Sequence, residues 1–259
     1  TVVEQIGDST SDRMTLWEHL RELRNRVFKA VIAVAVGAVI MWIAYPWVED
    51  LLREPLDKAC NQTESSTDCA FVITDVLGGL SARLAVSGYG GSALAMPVIL
   101  WQLWRFITPG LYPNEKRMAI PFMVSSLVLF VAGATMAYFV LPRGLEFLLT
   151  IAGDDVEPLL DPKRYFSFLV YMMLAFGVGF LFPVILIFLQ LLGLLNADTL
   201  ARYRRHAMVG IMIVVAVITP SGDPFTMLAL SIPMYIFYEA SIHIGKLLVR
   251  RRHRAAVGA

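Results

Sequence analysis

Two glutamates one helical turn apart are the first residues of this sequence whose type and spacing suggest chemistry. Glu18 and Glu22 lie in the stretch 16–26, directly before the first long apolar segment. Leucines recur there every three or four residues, which predicts a short amphipathic helix with both carboxylates on another face. Such carboxylates can bind a cationic group that arrives at a membrane surface. They can equally be structural and pair with Arg21 and Arg26, three and four residues further along. Both interpretations stay open at this point.

The elements that position these carboxylates are membrane-spanning helices. Hydrophobic residues make up 57% of the 259 residues and the mean hydropathy is +0.64, above the roughly 45–50% apolar content of soluble domains. A helix needs about 20 residues to cross a bilayer. Four uncharged runs meet or approach that length: 30–48, 84–104, 118–142 and 165–197. Two shorter runs, 207–222 and 224–238, predict a hairpin that reaches only about 22–24 Å of the roughly 30 Å hydrocarbon layer.

The predicted fold class is therefore an all-α polytopic membrane protein with six transmembrane helices, of which helices five and six are short. Lysine and arginine set its orientation, because 16 of the 22 basic residues fall before run one, between runs two and three, between runs four and five, and after run six. By the positive-inside rule, both termini are cytoplasmic. We expect one membrane domain over 1–259 in a bacterial or archaeal cytoplasmic membrane. Its parts are a cytoplasmic amphipathic N-terminus at 1–29, extracytoplasmic loops at 49–83 and 143–164, and a basic cytoplasmic tail at 246–259.

The first extracytoplasmic loop contains both cysteines of the chain, Cys60 and Cys69. Thiols on that side of a bacterial membrane meet an oxidising environment. A disulfide between them is the preferred prediction, with two free thiols as the alternative.

The membrane interior offers little chemistry. None of the four long runs contains an ionisable residue, although transporters of small charged substrates usually carry one near the middle of a span. The four histidines lie at or outside the ends of the runs, and no metal-binding or phosphate-binding motif occurs, so we predict neither an enzyme nor a metal or cofactor. The small residues at 87–92 are expected to allow close helix packing. A small-molecule secondary transporter and an intramembrane enzyme remain as rival classes, to be separated by transport and activity assays.

We therefore expect the functional site at the cytoplasmic surface, where a second acidic residue, Glu115, lies just before the third run. Two separate carboxylates suit a ligand with two cations. Arginine matches them best, because a guanidinium forms bidentate pairs with carboxylate that lysine cannot copy. At roughly 1.5–3 kcal/mol each, two such pairs would favour paired arginines by about 10²- to 10⁴-fold.

Several motifs carry a resemblance to a known family. They are His-Leu-Arg-Glu-Leu-Arg-Asn-Arg at 19–26, Gln-Leu-Trp-Arg-Phe-Ile-Thr-Pro-Gly-Leu-Tyr at 102–112 with Glu-Lys-Arg at 115–117, Ala-Phe-Gly-Val at 175–178, Thr-Pro at 219–220 with Asp223, and Ile-Pro-Met-Tyr at 232–235. In this order the sequence resembles the TatC family, the receptor subunit of the twin-arginine protein translocase. The resemblance extends from residue 15 to about 245.

The resemblance implies six helices in a cupped arrangement and recognition of folded proteins that carry an Arg-Arg signal peptide, with export driven by the protonmotive force. The implied signal-binding residues are Glu22, Glu115 and Arg24, which leaves Glu18 as a capping partner of Thr15. Positions matching functionally sensitive or motif residues of the family are Pro55 in the first outer loop, Phe106, Thr219 and Asp223. Implied partners are TatA/TatB-type single-span proteins, further copies in a larger complex, and membrane lipid, but no nucleic acid. Leu181 and Met227 stand where the family can have Glu and Gln, so the mode of partner docking stays open.

Overall fold

The computed structural model describes residues 16–62, 71–72, 76–107, 119–151, 160–219 and 222–257. Nearly all of this part of the chain is helical, and its one β contact is an isolated bridge between Phe71 and Leu160. In chain order the helices are α1 Leu16–Gln62, α2 Gly78–Leu94, α3 Met96–Ile107, α4 Ala119–Ile151, α5 Pro162–Gly179, α6 Phe182–Leu191, α7 Ala197–Arg202, α8 Arg204–Ile218 and α9 Pro224–Val257.

The six predicted apolar runs correspond to helical segments of this fold. Four segments are long and apolar enough to cross a membrane: Trp17–Cys60, Ile120–Ile151, Pro162–Leu191 and Pro224–Leu247. The pair α2 and α3, which is bent by 47°, makes a fifth if it is counted as one span. The remaining run lies in α8, whose 15 residues match the prediction of a short fifth helix. The run that predicts a short sixth helix is only the first part of α9, which has 34 residues in total.

Helix α1 is much longer than its apolar run. It has 47 residues and continues through Pro46 and Pro55 to Gln62, so the first part of the predicted outer loop is helical. A proline in a helix has no N–H to give to the carbonyl four residues earlier. In α1 those carbonyls, of Trp42 and Leu51, accept hydrogen bonds from side chains of other helices instead.

Small residues bring α1 and α2 into close contact. A Cβ atom added at Gly91 of α2 would lie 2.4 Å from the backbone nitrogen of Ala38 in α1. One added at Gly37 would lie 2.5 Å from the carbonyl oxygen of Gly91. Because only hydrogen fits at both positions, the backbones of the two helices touch there. The prediction that the small residues at 87–92 serve helix packing is confirmed at Gly91, whereas a Cβ atom added at Gly88 would meet nothing within 4 Å.

Two apolar clusters hold the helices together. The larger cluster joins α1, α4, α5, α8 and α9 around side chains that are almost fully buried, among them Phe166, Leu169 and Leu230. The smaller cluster joins α3 and α6 through Leu100, Trp104, Val184 and Phe188. The indole N–H of Trp104 also donates to the hydroxyl of Ser126 in α4 at 3.2 Å. These contacts fix the last turn of α3, which forms one wall of the site described next.

Candidate functional site

A groove of about 340 Å³ lies between the first turns of α1 and the end of α3. Its lining from α1 consists of Glu18, Arg21, Glu22, Asn25, Arg26 and Lys29, and its lining from α3 consists of Gln102 and Arg105. The α1 residues recur at intervals of three and four, so one face of the helix supplies them all. The two α3 residues are also three apart. The two carboxylates predicted from the sequence, those of Glu18 and Glu22, therefore lie in a polar groove between two helices.

Glu22 in this groove already holds a guanidinium group, that of Arg26. The Nε of Arg26 donates to Oε1 of Glu22 at 3.1 Å, and its Nη2 donates to the same oxygen. The side chains of Glu22 and Arg26 are 21% and 14% exposed. The second oxygen of Glu22, Oε2, is buried and accepts no hydrogen bond from the residues that the structure describes. The pairing of Glu22 with Arg26, predicted from their spacing as the structural alternative, is confirmed.

The groove as a whole is not acidic. Four basic side chains line it against two carboxylates, those of Glu18 and Glu22. Long-range attraction would therefore not concentrate a cationic ligand here. Such a ligand must gain its binding energy from direct hydrogen bonds to the carboxylates, which is the contact that arginine makes best.

An aromatic stack joins the two walls of the groove. The imidazole of His19 lies on the ring of Phe106, with ring centroids 4.4 Å apart and planes inclined by 20°. His19 is one residue from Glu18 in α1, and Phe106 is one residue from Arg105 in α3. The stack therefore sets the position of the groove-lining residues on one helix relative to those on the other. Phe106 was predicted from the family resemblance, whereas His19 was not singled out.

Of the other two predicted signal-binding residues, one lies away from the groove and the other lies outside the described residues. Arg24 is exposed and does not line the groove, because a residue two positions from Glu22 points to another side of the helix. Glu115 lies outside the described residues, as does the rest of the connector at 108–118. The pairing of Glu22 with Glu115 in one binding site stays a prediction. Thr15, the expected capping residue, also lies outside the described part.

Pro55 is buried inside α1 and is part of a helix rather than of an irregular loop. Because it has no N–H, the carbonyl of Leu51 has no helical donor at that position. The hydroxyl of Tyr138 in α4 lies 3.0 Å from this carbonyl oxygen and 2.8 Å from Oε2 of Glu54. The proline therefore creates a polar contact between α1 and α4.

Thr219 and Asp223 lie at the connection between α8 and α9, and neither lines the groove. The hydroxyl of Thr219 donates to the carbonyl of Val215 at 2.8 Å, at the end of α8. Asp223 is 1% exposed, and its Oδ1 accepts a hydrogen bond from the backbone N–H of Thr226 at 2.7 Å. Asp223 thus caps the N-terminus of α9. Both residues have structural roles in the described contacts.

Leu181 and Met227, the positions where the family can be polar, are half-buried and apolar in their surroundings. Leu181 packs against the cluster around Trp104, and Met227 packs against the larger cluster. Cys60 at the end of α1 is disulfide-bonded. Cys69, the other cysteine of the sequence, lies outside the described residues, so its pairing with Cys60 stays a prediction.

Several groove residues were not predicted. Asn25 and Lys29 share the helix face of Glu18 and Glu22, so their spacing was a usable signal. Gln102 and Arg105 come from a distant part of the chain, and no local pattern assigns them to the same site. Within the described residues, no group of three or more His, Cys, Asp or Glu side chains is placed to hold a metal ion.

The fold and the site define a class: a polytopic α-helical membrane protein whose polar site lies where two helices end, not in the middle of a span. Comparison with known proteins then identifies the family. The chain matches the family described as Sec-independent protein translocase protein (TatC) over residues 18–233, and it belongs to that family.

Individual relatives agree with this assignment. The chain is 38% identical over 246 residues to the Sec-independent protein translocase protein TatC of Aquifex aeolicus, which covers 92% of this chain and 98% of that protein. It is 40% identical over 245 residues to the protein of the same name from Frankia casuarinae, covering 92% of this chain and 67% of that protein. A crystal structure described as the twin arginine translocase receptor TatC is 36% identical. It superposes with a TM-score of 0.73 and covers 89% of this chain and 99% of that one.

Membership of this family establishes the general properties of the chain. The chain is a multi-pass protein of the cell membrane and a component of a protein translocase. It is a transport protein and not an enzyme. The expectation of the TatC family from its motifs is confirmed.

Proposed function

We propose that this chain is the receptor that binds the Arg-Arg signal peptides of folded precursor proteins, with Glu22 as one of the carboxylates that take the signal's arginines. The observation that carries the proposal is the contact between Glu22 and the guanidinium of Arg26. It supports the proposal because this carboxylate accepts hydrogen bonds from a guanidinium group, the group that a signal arginine would bring. The net basic lining supports recognition by direct contact, which favours guanidinium over ammonium ligands.

Glu115 is proposed as the second carboxylate, from its place in the family motif. The proposed orientation puts the groove and both chain termini on the cytoplasmic side, where precursor proteins are made. Occupancy of the receptor then recruits TatA/TatB-type single-span proteins and further copies of the chain, and the protonmotive force drives export. The distribution of basic residues supports this orientation.

A binding experiment tests the proposal. The full chain in lipid nanodiscs is titrated with a fluorescent signal peptide carrying Arg-Arg and with the same peptide carrying Lys-Lys. We expect the Arg-Arg peptide to bind more tightly. We also expect Glu22→Gln to weaken it by roughly ten- to a hundredfold, the value of one charge-assisted pair.

Glu49→Gln is the matched control. Glu49 also lies in α1 and also pairs with an arginine four residues on, Arg53, at 3.4 Å, but it is not part of the groove. Its removal should leave peptide affinity unchanged. Equal affinity for the two peptides, or an equal loss in the Glu22 and Glu49 variants, would contradict the proposal.

A further inference from the structure

The Glu22 carboxylate is not open to a ligand in this structure. The Nε and Nη2 atoms of Arg26 both donate to Oε1, and Oε2 is buried. Arg26 is itself only 14% exposed in its side chain, so solvent does not replace it easily. An incoming guanidinium can therefore form bonds to this carboxylate only after Arg26 has moved away.

From this we infer that Arg26 is an internal competitor that sets the affinity of the signal-binding groove. Its guanidinium occupies on Glu22 the place that a ligand's arginine takes, and binding exchanges one arginine for another. The inference rests on the proposed function of Glu22. It goes beyond that function because it gives Arg26, which does not itself bind the signal, a measurable effect on affinity.

The exchange can be written as two states of the groove. In the closed state Arg26 holds Glu22, and in the open state the carboxylate is available. When only the open state binds, the apparent dissociation constant rises by the inverse of the open fraction. An ion pair between residues four apart that is partly exposed is a modest interaction. Its removal should therefore tighten binding by roughly two- to tenfold.

Competition has a signature that a positioning role does not share. The open fraction is a property of the protein alone, so Arg-Arg and Lys-Lys peptides should gain by the same factor when Arg26 is removed. If Arg26 instead holds Glu22 in the orientation that binding needs, its removal weakens binding. In that case the loss is larger for the guanidinium ligand, whose bonds depend more on geometry. The two roles differ in the sign of the effect.

The test is a titration of Arg26→Gln in nanodiscs with the Arg-Arg and Lys-Lys peptides. We expect both dissociation constants to fall by a common factor of roughly two to ten. A second variant, Arg26→Lys, tests the inference if Arg26→Gln does not give stable protein. It keeps the charge but offers a single ammonium in place of two guanidinium donors, so it should tighten binding less than Arg26→Gln does.

Lys29→Gln is the charge-matched control. Lys29 lines the same groove, and none of the salt bridges found among the described residues involves it. This variant measures what is gained by removing one positive charge from the lining. Tightening by Arg26→Gln should exceed it. Equal tightening in the two variants would overturn the inference, because it would show relief of repulsion and not displacement of a competitor.

The inference and the proposed function fail separately. Unchanged or weaker binding by Arg26→Gln, together with a clear loss in Glu22→Gln, would overturn only the competition. No loss in Glu22→Gln would overturn the assignment of Glu22 as the signal-binding carboxylate, and the competition would fall with it.

Discussion

The guanidinium of Arg83 in α2 donates a hydrogen bond to the main-chain carbonyl oxygen of Trp42 in α1, at 2.8 Å. That carbonyl lies four residues before Pro46, which has no N–H to offer it. Arg83 also lies over the rings of Trp42 and Tyr45, 4.5 and 5.3 Å from their centroids. A side chain of α2 thus supplies the hydrogen bond that the proline in α1 cannot donate.

This relationship predicts coupling between Arg83 and Pro46. Arg83→Leu leaves the Trp42 carbonyl without its donor and should lower the free energy of unfolding by about 1–3 kcal/mol. In a Pro46→Ala background the restored N–H can bond that carbonyl, so the same substitution should cost less. A double-mutant cycle of unfolding in mixed micelles measures the difference. Additive effects would contradict the explanation. Arg83→Lys keeps both a cation and an N–H donor, so it should cost less than Arg83→Leu.

The crossing of α1 and α2 predicts opposite effects of substitution at two glycines of α2, Gly91 and Gly88, which lie three residues apart. A methyl group at Gly91 would meet backbone atoms of Ala38 and Gly37 at 2.4 to 2.8 Å, and backbone cannot give way cheaply. Gly91→Ala should therefore destabilise the protein by about 1–3 kcal/mol. Gly88→Ala in the same helix meets nothing within 4 Å and should stabilise by roughly 0.5–1 kcal/mol through helix propensity. Thermal unfolding of the two variants gives the comparison, and a loss in both would contradict the packing argument.

Hydropathy predicted the helical class and the rough places of the spans, because a long uncharged run has few alternatives in a membrane. It did not predict where helices end. Helix α1 continues beyond its apolar run through charged residues to Gln62, since a helix that leaves the bilayer can be polar. The run at 165–197 corresponds to one candidate span, Pro162–Leu191, but the helix has a short break between Gly179 and Phe182. Pro183 at the start of α6 was a local signal for that break.

The site was predicted only where it depends on local spacing. The contact of Glu22 with Arg26 follows from a separation of four residues, which places both on one helix face. The stack of His19 on Phe106 and the approach of Gln102 to α1 join distant parts of the chain, and they depend on how the helices pack. Family resemblance marked Phe106 without giving its partner. Contacts between helices in a membrane follow from side-chain shape, which a hydropathy pattern does not contain.

Asp223 is predicted to act through its side-chain oxygen as a helix cap. Asp223→Ala removes the acceptor for the Thr226 N–H and should lower the free energy of unfolding by about 0.5–2 kcal/mol. Asp223→Asn keeps an oxygen in that place and should keep most of the stability. Thermal unfolding and export of an Arg-Arg precursor are measured together. A stable Asp223→Asn variant that has lost export would show that the negative charge has a role beyond the cap.

His19 is predicted to position the groove through the face of its ring. His19→Ala removes the stack on Phe106 and releases α1 from α3, so binding of the Arg-Arg peptide should weaken by roughly two- to tenfold, the value of an aromatic pair. His19→Phe keeps a ring in the same place and should restore most of the affinity. Trp17→Ala is the control, because Trp17 is an aromatic residue of the same helix that is 81% exposed. It should leave binding unchanged. If His19→Phe binds as weakly as His19→Ala, the imidazole contributes a hydrogen bond or a charge that the stack does not explain.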